Sequence, residues 1–285
     1  MTKLFVKKLT NLDFSFLDAK RGLVGESWLI DIELSGKLND QGMVLDFGIV
    51  KRLVRDYIDQ YIDHCLLVPS QYDGCEMQEL DEQLEINFAL EDGHTIVHRS
   101  IKDAVSIIPA KAITTETLKA FILQNLQILL PDNVSELSIN LYTEPGLQES
   151  YQYSHGLRKH DGNCQRIAHG HRSQLEIEVN GMQSEHWQEY WFERWRDIYI
   201  GTRRHLVDEQ YSDDNYHYFQ YQAPQGNFFL QLPQERCYLI DDESTVENIA
   251  QHLAEQIAIK EPGKEVIVRA YEGIGKGAVA EIKPI

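Results

Sequence analysis

Two stretches of the chain alternate strictly between apolar and polar side chains, a pattern that predicts a β-strand with one buried face. They are SWLIDIELSG at residues 27–36 and QLEIEVNG at residues 174–181. A shift of 145 residues superposes their apolar positions, which are Ile30, Ile32 and Leu34 in the first stretch and Leu175, Ile177 and Val179 in the second. The chain is therefore predicted to be a tandem repeat.

The elements predicted after each strand come in the same order in both halves. Residues 42–63 and residues 189–208 carry apolar side chains at helical spacing. Each half then has a predicted hairpin, with its turn at Asp92-Gly93 in the first half and at Gln225-Gly226 in the second. A second helix and a closing strand follow, at residues 115–130 and 137–145 in the first half and at residues 244–258 and 266–273 in the second. This order predicts two α+β units of mainly antiparallel strands, at residues 1–146 and 147–285.

A His-Gly-His sequence stands just before the second alternating strand. Because side chains along a strand have a period of two, His169 and His171 are expected on the same face as the apolar set. Two imidazoles on one face of a strand can chelate one metal ion, and His155 is placed to supply a third ligand. Zinc accepts imidazole nitrogen readily, and three protein ligands leave a fourth position for substrate. Cys164 lies between these ligands, where it is either a fourth ligand or a nearby acid/base thiol.

The two halves differ in a complementary way. The 145-residue shift superposes His169-Gly170-His171 on Val24-Gly25-Glu26, so the first half keeps the glycine and lacks both imidazoles. Conversely, the first helix of the first half ends in Asp63-His64. The shift superposes this pair on Asp208-Glu209, so the second half keeps the aspartate and lacks the histidine. An Asp-His pair at a helix end can simply complement the helix dipole. Since each half holds what the other lacks, we favour one composite site.

Charge and composition exclude some classes of protein. The formal net charge of −18 argues against a nucleic-acid binder, which needs a basic surface. No stretch has the length and apolarity of a membrane span, and the amino terminus does not resemble a signal peptide. The four cysteines show no framework spacing, which favours a cytoplasmic location. One local basic cluster surrounds the metal-type segment and either steers an anion or forms a solvated loop; it comprises Arg158, Lys159, Arg166 and Arg172.

Several motifs together resemble one enzyme family. They are the CxxxxHGH segment ending at His171, the GMVLDF sequence from Gly42, the IDH sequence ending at His64, the TVEN helix start at Thr245 and the final glutamate Glu272. In this order, they resemble the 6-pyruvoyltetrahydropterin synthase and 6-carboxytetrahydropterin synthase family, over essentially the whole chain and twice. The resemblance implies the tunnelling (T-) fold, in which each domain is a four-stranded antiparallel sheet with two helices on one face. It also implies that domains assemble into a barrel and that active sites form where domains meet.

The resemblance further implies a role for individual residues. The zinc ligands are His155, His169 and His171, and the catalytic residues are Cys164, Asp63 and His64. Substrate-binding residues are Glu272 or Glu144 as the anchor of the pterin, together with Arg166 and Thr245. Because only the second half carries the imidazoles, one zinc site per chain is expected. The family's substrate is 7,8-dihydroneopterin triphosphate.

The function implied is that of a cytoplasmic, zinc-dependent carbon–oxygen lyase. We favour formation of 6-carboxy-5,6,7,8-tetrahydropterin, in the queuosine (7-deazaguanine) pathway, with release of triphosphate and acetaldehyde. The alternatives are 6-pyruvoyltetrahydropterin synthesis, another T-fold chemistry, or a non-catalytic paralogue that binds a pterin or purine and keeps zinc for structure. Neither nucleic acid nor a membrane is expected as a partner. A homo-oligomer is expected, with three chains favoured over a dimer or tetramer.

Overall fold

The computed structural model describes residues 2–146 and 149–284. The predicted division between residues 146 and 147 adjoins residues 147–148, which lie outside the described ranges. The elements of the first half are β1 (Thr2–Asp18), β2 (Gly22–Gly36), α1 (Phe47–Tyr61), β3 (Leu66–Pro69), β4 (Cys75–Leu80), β5 (Gln83–Ala89), β6 (Thr95–Ile101), β7 (Val105–Ile108), α2 (Thr115–Gln127) and β8 (Val134–Tyr142). Those of the second half are β9 (Tyr151–His155), β10 (His169–Ser173), β11 (Leu175–Val179), β12 (Met182–Gln183), α3 (Glu185–Arg194), β13 (Ile198–Thr202), β14 (Tyr216–Ala223), β15 (Gly226–Pro233), β16 (Cys237–Ile240), α4 (Val246–Lys260), β17 (Val266–Tyr271) and β18 (Gly277–Ile282).

The first half is built on a five-stranded sheet in the order β7-β3-β1-β2-β8. Strands β1, β2 and β8 are antiparallel, and β3 and β7 extend the sheet in parallel. Apolar side chains of both helices join those of the sheet in one hydrophobic core. The buried helical residues are Val50, Val54, Tyr57 and Ile58 of α1 and Leu118, Ile122 and Leu126 of α2.

In the second half, the counterpart of β2 is interrupted at Gln174. Strand β10 therefore belongs to a sheet in the order β10-β9-β13-β16, and β11 belongs to another in the order β12-β11-β17-β18. Helix α4 buries Ile249, Leu253 and Ile257 in the core of this half. The α+β class and the repeated element order agree with the prediction. The expected four-stranded antiparallel sheet per half is wrong in detail, because parallel strands extend β1 and β9.

The helix predicted at residues 189–208 is too long. Helix α3 ends at Arg194, and Asp197 has a left-handed backbone with φ of 54°. The buried residues that follow form β13, because aromatic and β-branched side chains favour a strand. His64 has the same conformation, with φ of 56°, between α1 and β3. The structural counterpart of Asp63-His64 is therefore Arg196-Asp197 rather than Asp208-Glu209.

The two predicted hairpins form one sheet instead of two separate additions. Its order is β14-β15-β6-β5-β4, and β15 of the second half pairs with β6 of the first. This shared sheet joins the halves through backbone hydrogen bonds. Within the described ranges, no sheet closes into a barrel. None of the helices in this part of the chain has the length and apolar character needed to cross a membrane.

Candidate metal and catalytic site

Three histidines meet on the face where the two halves pack together. The antiparallel pairing of β9 and β10 sets His155 opposite His169, and His171 follows two residues later on the same face. All three side chains are buried, and one ring nitrogen of each lies within 4.8 Å of the others. The alternation of the strand thus brings the predicted ligands together.

The hydrogen bonds of these rings direct free nitrogens toward one another. Nδ1 of His155 lies 2.9 Å from the carbonyl oxygen of Ser244, and Nδ1 of His169 lies 3.0 Å from that of Arg166. A carbonyl can only accept, so both Nδ1 atoms carry the proton and both Nε2 atoms are free to bind a metal. Burial lowers the pKa of His155 and of His169 well below the ordinary value, which favours the neutral form that metals bind.

These buried nitrogens fit a metal ion. Nε2 of His155, Nε2 of His169 and both ring nitrogens of His171 have no hydrogen-bond partner among the described residues. Leaving buried polar atoms unpaired is costly, and a bound metal relieves that cost. Three imidazoles suit zinc and the neighbouring first-row metals.

The first half contributes the Asp63-His64 pair. Nδ1 of His64 lies 2.5 Å from Oδ2 of Asp63, so the carboxylate orients the ring. The backbone turn at these two residues, the Asp63-His64 corner, is held by Asp13 of β1. The amide of Asp13 donates to Oδ1 of Asp63 at 2.8 Å, and its carbonyl accepts from the amide of His64 at 2.6 Å.

Cys164 of the second half meets this pair. A nitrogen of His64, the sulfur of Cys164 and a nitrogen of His169 all lie within 4.8 Å of one another. Burial disfavours the charged form of His64, but the Asp63 carboxylate and the Cys164 side chain raise the pKa of His64 to about 10. His169 is thus common to the histidine cluster and to the thiol–imidazole pair, and one chain brings both halves of the site together.

The turn of the second hairpin fixes the loop that carries Cys164. The side-chain amide of Gln225 donates to Oδ1 of Asn163 at 2.8 Å, and its backbone amide donates to Oε1 of Gln165 at 2.7 Å. The hydroxyl of Tyr221 donates to the carbonyl of Gln165 at 2.8 Å. Both neighbours of Cys164 are therefore anchored to the hairpin.

The two predicted anchor glutamates lie in different places. Glu272 is close to the histidine cluster, because Lys276 connects it to Asp13: the ammonium lies 3.7 Å from a carboxylate oxygen of each. Glu144 follows β8 and lies near Tyr271, on which its charge acts. Glu272 is therefore the glutamate that the structure brings to the cluster.

The remaining predicted residues have internal partners. Arg166 is buried and donates to the sulfur of Cys65 at 3.0 Å and to Oε1 of Gln225 at 3.3 Å. Arg172 donates to both carboxylate oxygens of Glu26, at 2.6 and 2.8 Å. Thr245, predicted to bind substrate, is the N-cap of α4, and it follows the Ser244 that holds His155. In the basic cluster, Arg158 and Lys159 are the exposed cations.

Strand register also identifies what replaces the cluster in the first half. Phe16 pairs with Val24 as His155 pairs with His169, so Phe16 is the counterpart of His155. Beside it, Arg21 donates to both carboxylate oxygens of Asp197, at 2.8 and 2.6 Å. The residues equivalent to the three histidines are therefore Phe16, Val24 and Glu26, and the Arg21–Asp197 ion pair lies beside them.

Sequence reasoning missed Asp13, Ser27 and Lys276. They lie far from the His-Gly-His segment along the chain, and no motif marks them. Of the three, only Ser27 could have been found from the sequence. The 145-residue shift superposes Ser27 on Arg172, and in the structure the hydroxyl of Ser27 accepts the amide hydrogen of Arg172 at 3.1 Å.

Comparison with known proteins assigns both halves to one family. The family model described as 6-pyruvoyl tetrahydropterin synthase matches residues 18–148 and again residues 144–283. A Pyrococcus horikoshii protein, provisionally named 6-carboxy-5,6,7,8-tetrahydropterin synthase, is 21% identical over 134 residues, which cover 47% of this chain and 76% of that protein.

Two solved structures are also similar to part of the chain. The 6-pyruvoyl tetrahydropterin synthase of Plasmodium vivax is 24% identical, with a TM-score of 0.42, and the match covers 51% of this chain and 93% of that one. The Plasmodium falciparum enzyme is 20% identical, with a TM-score of 0.41, and the match covers 50% of this chain and 92% of that one.

Proposed function

Because the chain belongs to the 6-pyruvoyl tetrahydropterin synthase family over both of its halves, we propose that it is a zinc-dependent carbon–oxygen lyase acting on 7,8-dihydroneopterin triphosphate. The proposed product is 6-carboxy-5,6,7,8-tetrahydropterin, formed from this substrate and one water molecule with release of triphosphate and acetaldehyde, as in the queuosine (7-deazaguanine) pathway. The observation that carries the proposal is the proximity of His64 to Cys164 beside the three buried histidines.

The name of the Pyrococcus horikoshii relative supports the carboxy-forming reaction. The description of the family model supports a second candidate, 6-pyruvoyltetrahydropterin synthesis, from the same substrate. Both reactions use the same site, and the identity of the product distinguishes them.

In the proposed reaction, His155, His169 and His171 hold the zinc ion through their free nitrogens. The chemistry that zinc supplies when bound is polarisation of the substrate's side-chain hydroxyls, which acidifies the adjacent carbons. The Cys164 thiolate moves a proton at the substrate side chain, and His64 is the second acid/base group. Asp63 keeps the His64 ring in the orientation that faces Cys164.

Recognition of the substrate rests on residues at the edge of the cluster. We propose Glu272 as the anchor of the pterin, because a carboxylate accepts two hydrogen bonds from the amino and ring N–H groups. The exposed cations Arg158, Lys159 and Lys276 are suited to the triphosphate. The internal contacts of Arg166 support a structural role for that residue.

A non-catalytic paralogue that binds a pterin or purine does not need an acid/base pair. In such a protein, the contact between His64 and Cys164 has no purpose, and nothing favours keeping the Asp63-His64 pair opposite the thiol. The geometry therefore supports catalysis over simple binding.

We also propose that the chain forms a homo-oligomer of three copies, which supplies the barrel expected for the fold. Strand β8 pairs on one side only in the described part of the chain, and such an edge favours pairing with a further strand. Light scattering coupled to size-exclusion chromatography tests this proposal. The mass of three chains is expected, and a monomer contradicts it.

The proposed function is tested by metal analysis together with turnover. We expect about one zinc ion per chain, as for a single three-histidine site, and formation of 6-carboxytetrahydropterin from 7,8-dihydroneopterin triphosphate. Cys164→Ala should abolish turnover and keep the zinc, whereas Cys75→Ala, on β4 in the shared sheet, should leave both unchanged. A wild-type protein that binds zinc but does not consume this substrate contradicts the proposal.

A further inference from the structure

Asp13 contacts both parts of the site at once. It lies on β1 of the first half and is 3% exposed. Its backbone holds the Asp63-His64 corner of its own half through two hydrogen bonds. Its carboxylate faces the other half, where Oδ1 lies 3.4 Å from Nδ1 of His171. Asp13 is thus hydrogen-bonded to Asp63 through its backbone and paired with a histidine of the cluster through its carboxylate.

The carboxylate is held in place on both sides. The hydroxyl of Ser27 donates to Oδ1 at 2.5 Å, and the ammonium of Lys276 lies 3.7 Å from Oδ2. Gly273 approaches the same carboxylate so closely that a Cβ atom there would lie 2.6 Å from Oδ1. The position of Asp13 is therefore determined by residues of both halves.

His171 differs from the other two histidines in its Nδ1 partner. His155 and His169 each point Nδ1 at a backbone carbonyl of the second half. His171 points Nδ1 at a carboxylate that the first half supplies. At 3.4 Å, the contact is within the range of an ion pair and is longer than an ideal hydrogen bond.

A carboxylate at this position has a known physical effect on a metal ligand. It keeps the proton on Nδ1, which leaves Nε2 free for the metal, and it makes that nitrogen a stronger donor. We propose that Asp13 is a positioning residue for the metal site, so that the affinity of the second half for zinc depends on a side chain of the first. This inference rests on the metal site of the proposed function, but it does not depend on which reaction the site catalyses.

The test measures zinc affinity in the absence of substrate. Purified full-length protein is freed of metal and titrated with zinc against a chromophoric chelator. Asp13→Asn has nearly the same shape and keeps the backbone contacts, but it loses the charge. We expect this variant to bind zinc about 10- to 100-fold more weakly than the wild type.

The matched control is Asp31→Asn. Asp31 is also a buried carboxylate of the first half, but its partners are Lys7, the amide of Lys8 and Tyr142, none of which belongs to the histidine cluster or to the Asp63-His64 pair. The zinc affinity of the Asp31→Asn variant should equal that of the wild type. The urea midpoint of each metal-free variant is measured in parallel, because a purely structural role for Asp13 would lower that midpoint without a specific loss of zinc affinity.

If Asp13→Asn does not fold, Ser27→Ala replaces it. This variant removes the hydroxyl that orients the Asp13 carboxylate and should weaken zinc binding several-fold. A folded Asp13→Asn protein with wild-type zinc affinity overturns the inference, as does a wild type that binds no zinc. A wild type whose zinc affinity depends on Asp13 but which does not turn over the pterin substrate overturns the proposed reaction alone.

Discussion

Gly25 and Gly170, which occupy the same position in the two repeats, lie directly against one another. A Cβ atom on Gly170 would be 2.6 Å from Cα of Gly25, and one on Gly25 would be 1.9 Å from the carbonyl oxygen of Tyr153. Beside them, the hydroxyls of Ser15 and Ser154 are hydrogen-bonded at 2.7 Å. The two halves thus meet at a distance that only glycine allows, and this contact sets the histidine cluster beside the Asp63-His64 pair.

Gly170→Ala is predicted to separate the halves. The added methyl group has no space between the two backbones, so we expect the free energy of unfolding to fall by about 3 kcal/mol, at the upper end of typical overpacking. Urea denaturation measures the change. Gly48→Ala on α1 is the control, since a Cβ there meets only the side chain of Asp46. Equal stability of the two variants would argue against a tight glycine contact.

The ion pair between Glu26 and Arg172 is predicted to stabilise the interface of the halves. The Glu26 side chain is 4% exposed and that of Arg172 is 24% exposed. Glu26→Gln leaves a largely buried guanidinium without its charge partner, and we expect a loss of about 2 kcal/mol. A double-mutant cycle with Arg172→Met measures the coupling. Glu33→Ala, which breaks the exposed pair with Lys3, serves as the control and should leave the unfolding midpoint unchanged.

His98 is predicted to make the fold sensitive to acid. Burial lowers the pKa of His98 from 6.5 to about 3, so the folded protein keeps this ring neutral while the unfolded chain protonates it. Below pH 6.5, the unfolded state therefore binds the additional proton, and stability falls as the pH falls. When the pH falls from 7 to 5, this group alone should lower the free energy of unfolding by about 2 kcal/mol.

His98→Leu removes that titration. Its stability should decline less than that of the wild type over the same pH range, whatever its absolute stability at pH 7. Urea denaturation at both pH values gives the comparison. Identical pH slopes for the two proteins would show that the pKa of His98 is not lowered in the folded state.

Metal removal is predicted to destabilise the folded chain. A ligand that binds only the native state adds about 2.7 kcal/mol to the free energy of unfolding when its free concentration is 100 times its dissociation constant. Zinc should therefore raise the melting temperature of chelator-treated protein, and His155→Ala should abolish that rise. His160→Ala, in the exposed loop, is the matched control. A rise that persists in His155→Ala would assign the zinc to another site.

Local patterns in the sequence predicted the elements and the histidine cluster well. The period of a strand is two, so His169 and His171 were predicted to share one face, and they do; the break at Gln174, which places β10 and β11 in different sheets, was not predicted. The turn at Asp92-Gly93 and the N-cap at Thr245 likewise depend on nearby residues only, and the structure contains both.

Features that depend on contacts between the halves could not be predicted in this way. The pairing of β6 with β15 and the approach of Asp13 to His171 join residues that are distant along the chain. The end of α3 was missed because the aromatic residues after it continue an apolar pattern, and the left-handed turn at Asp197 has no glycine to mark it.

We propose that a single chain holds a complete site, with His64 from one half and Cys164 from the other. Co-expression of a His64→Ala chain with a Cys164→Ala chain tests it directly, because every chain in the mixture then lacks one part of its own site. We predict that the purified mixture has no more lyase activity than either variant alone. Recovery to about a quarter of wild-type activity, as random pairing of halves between chains would give, would contradict the claim.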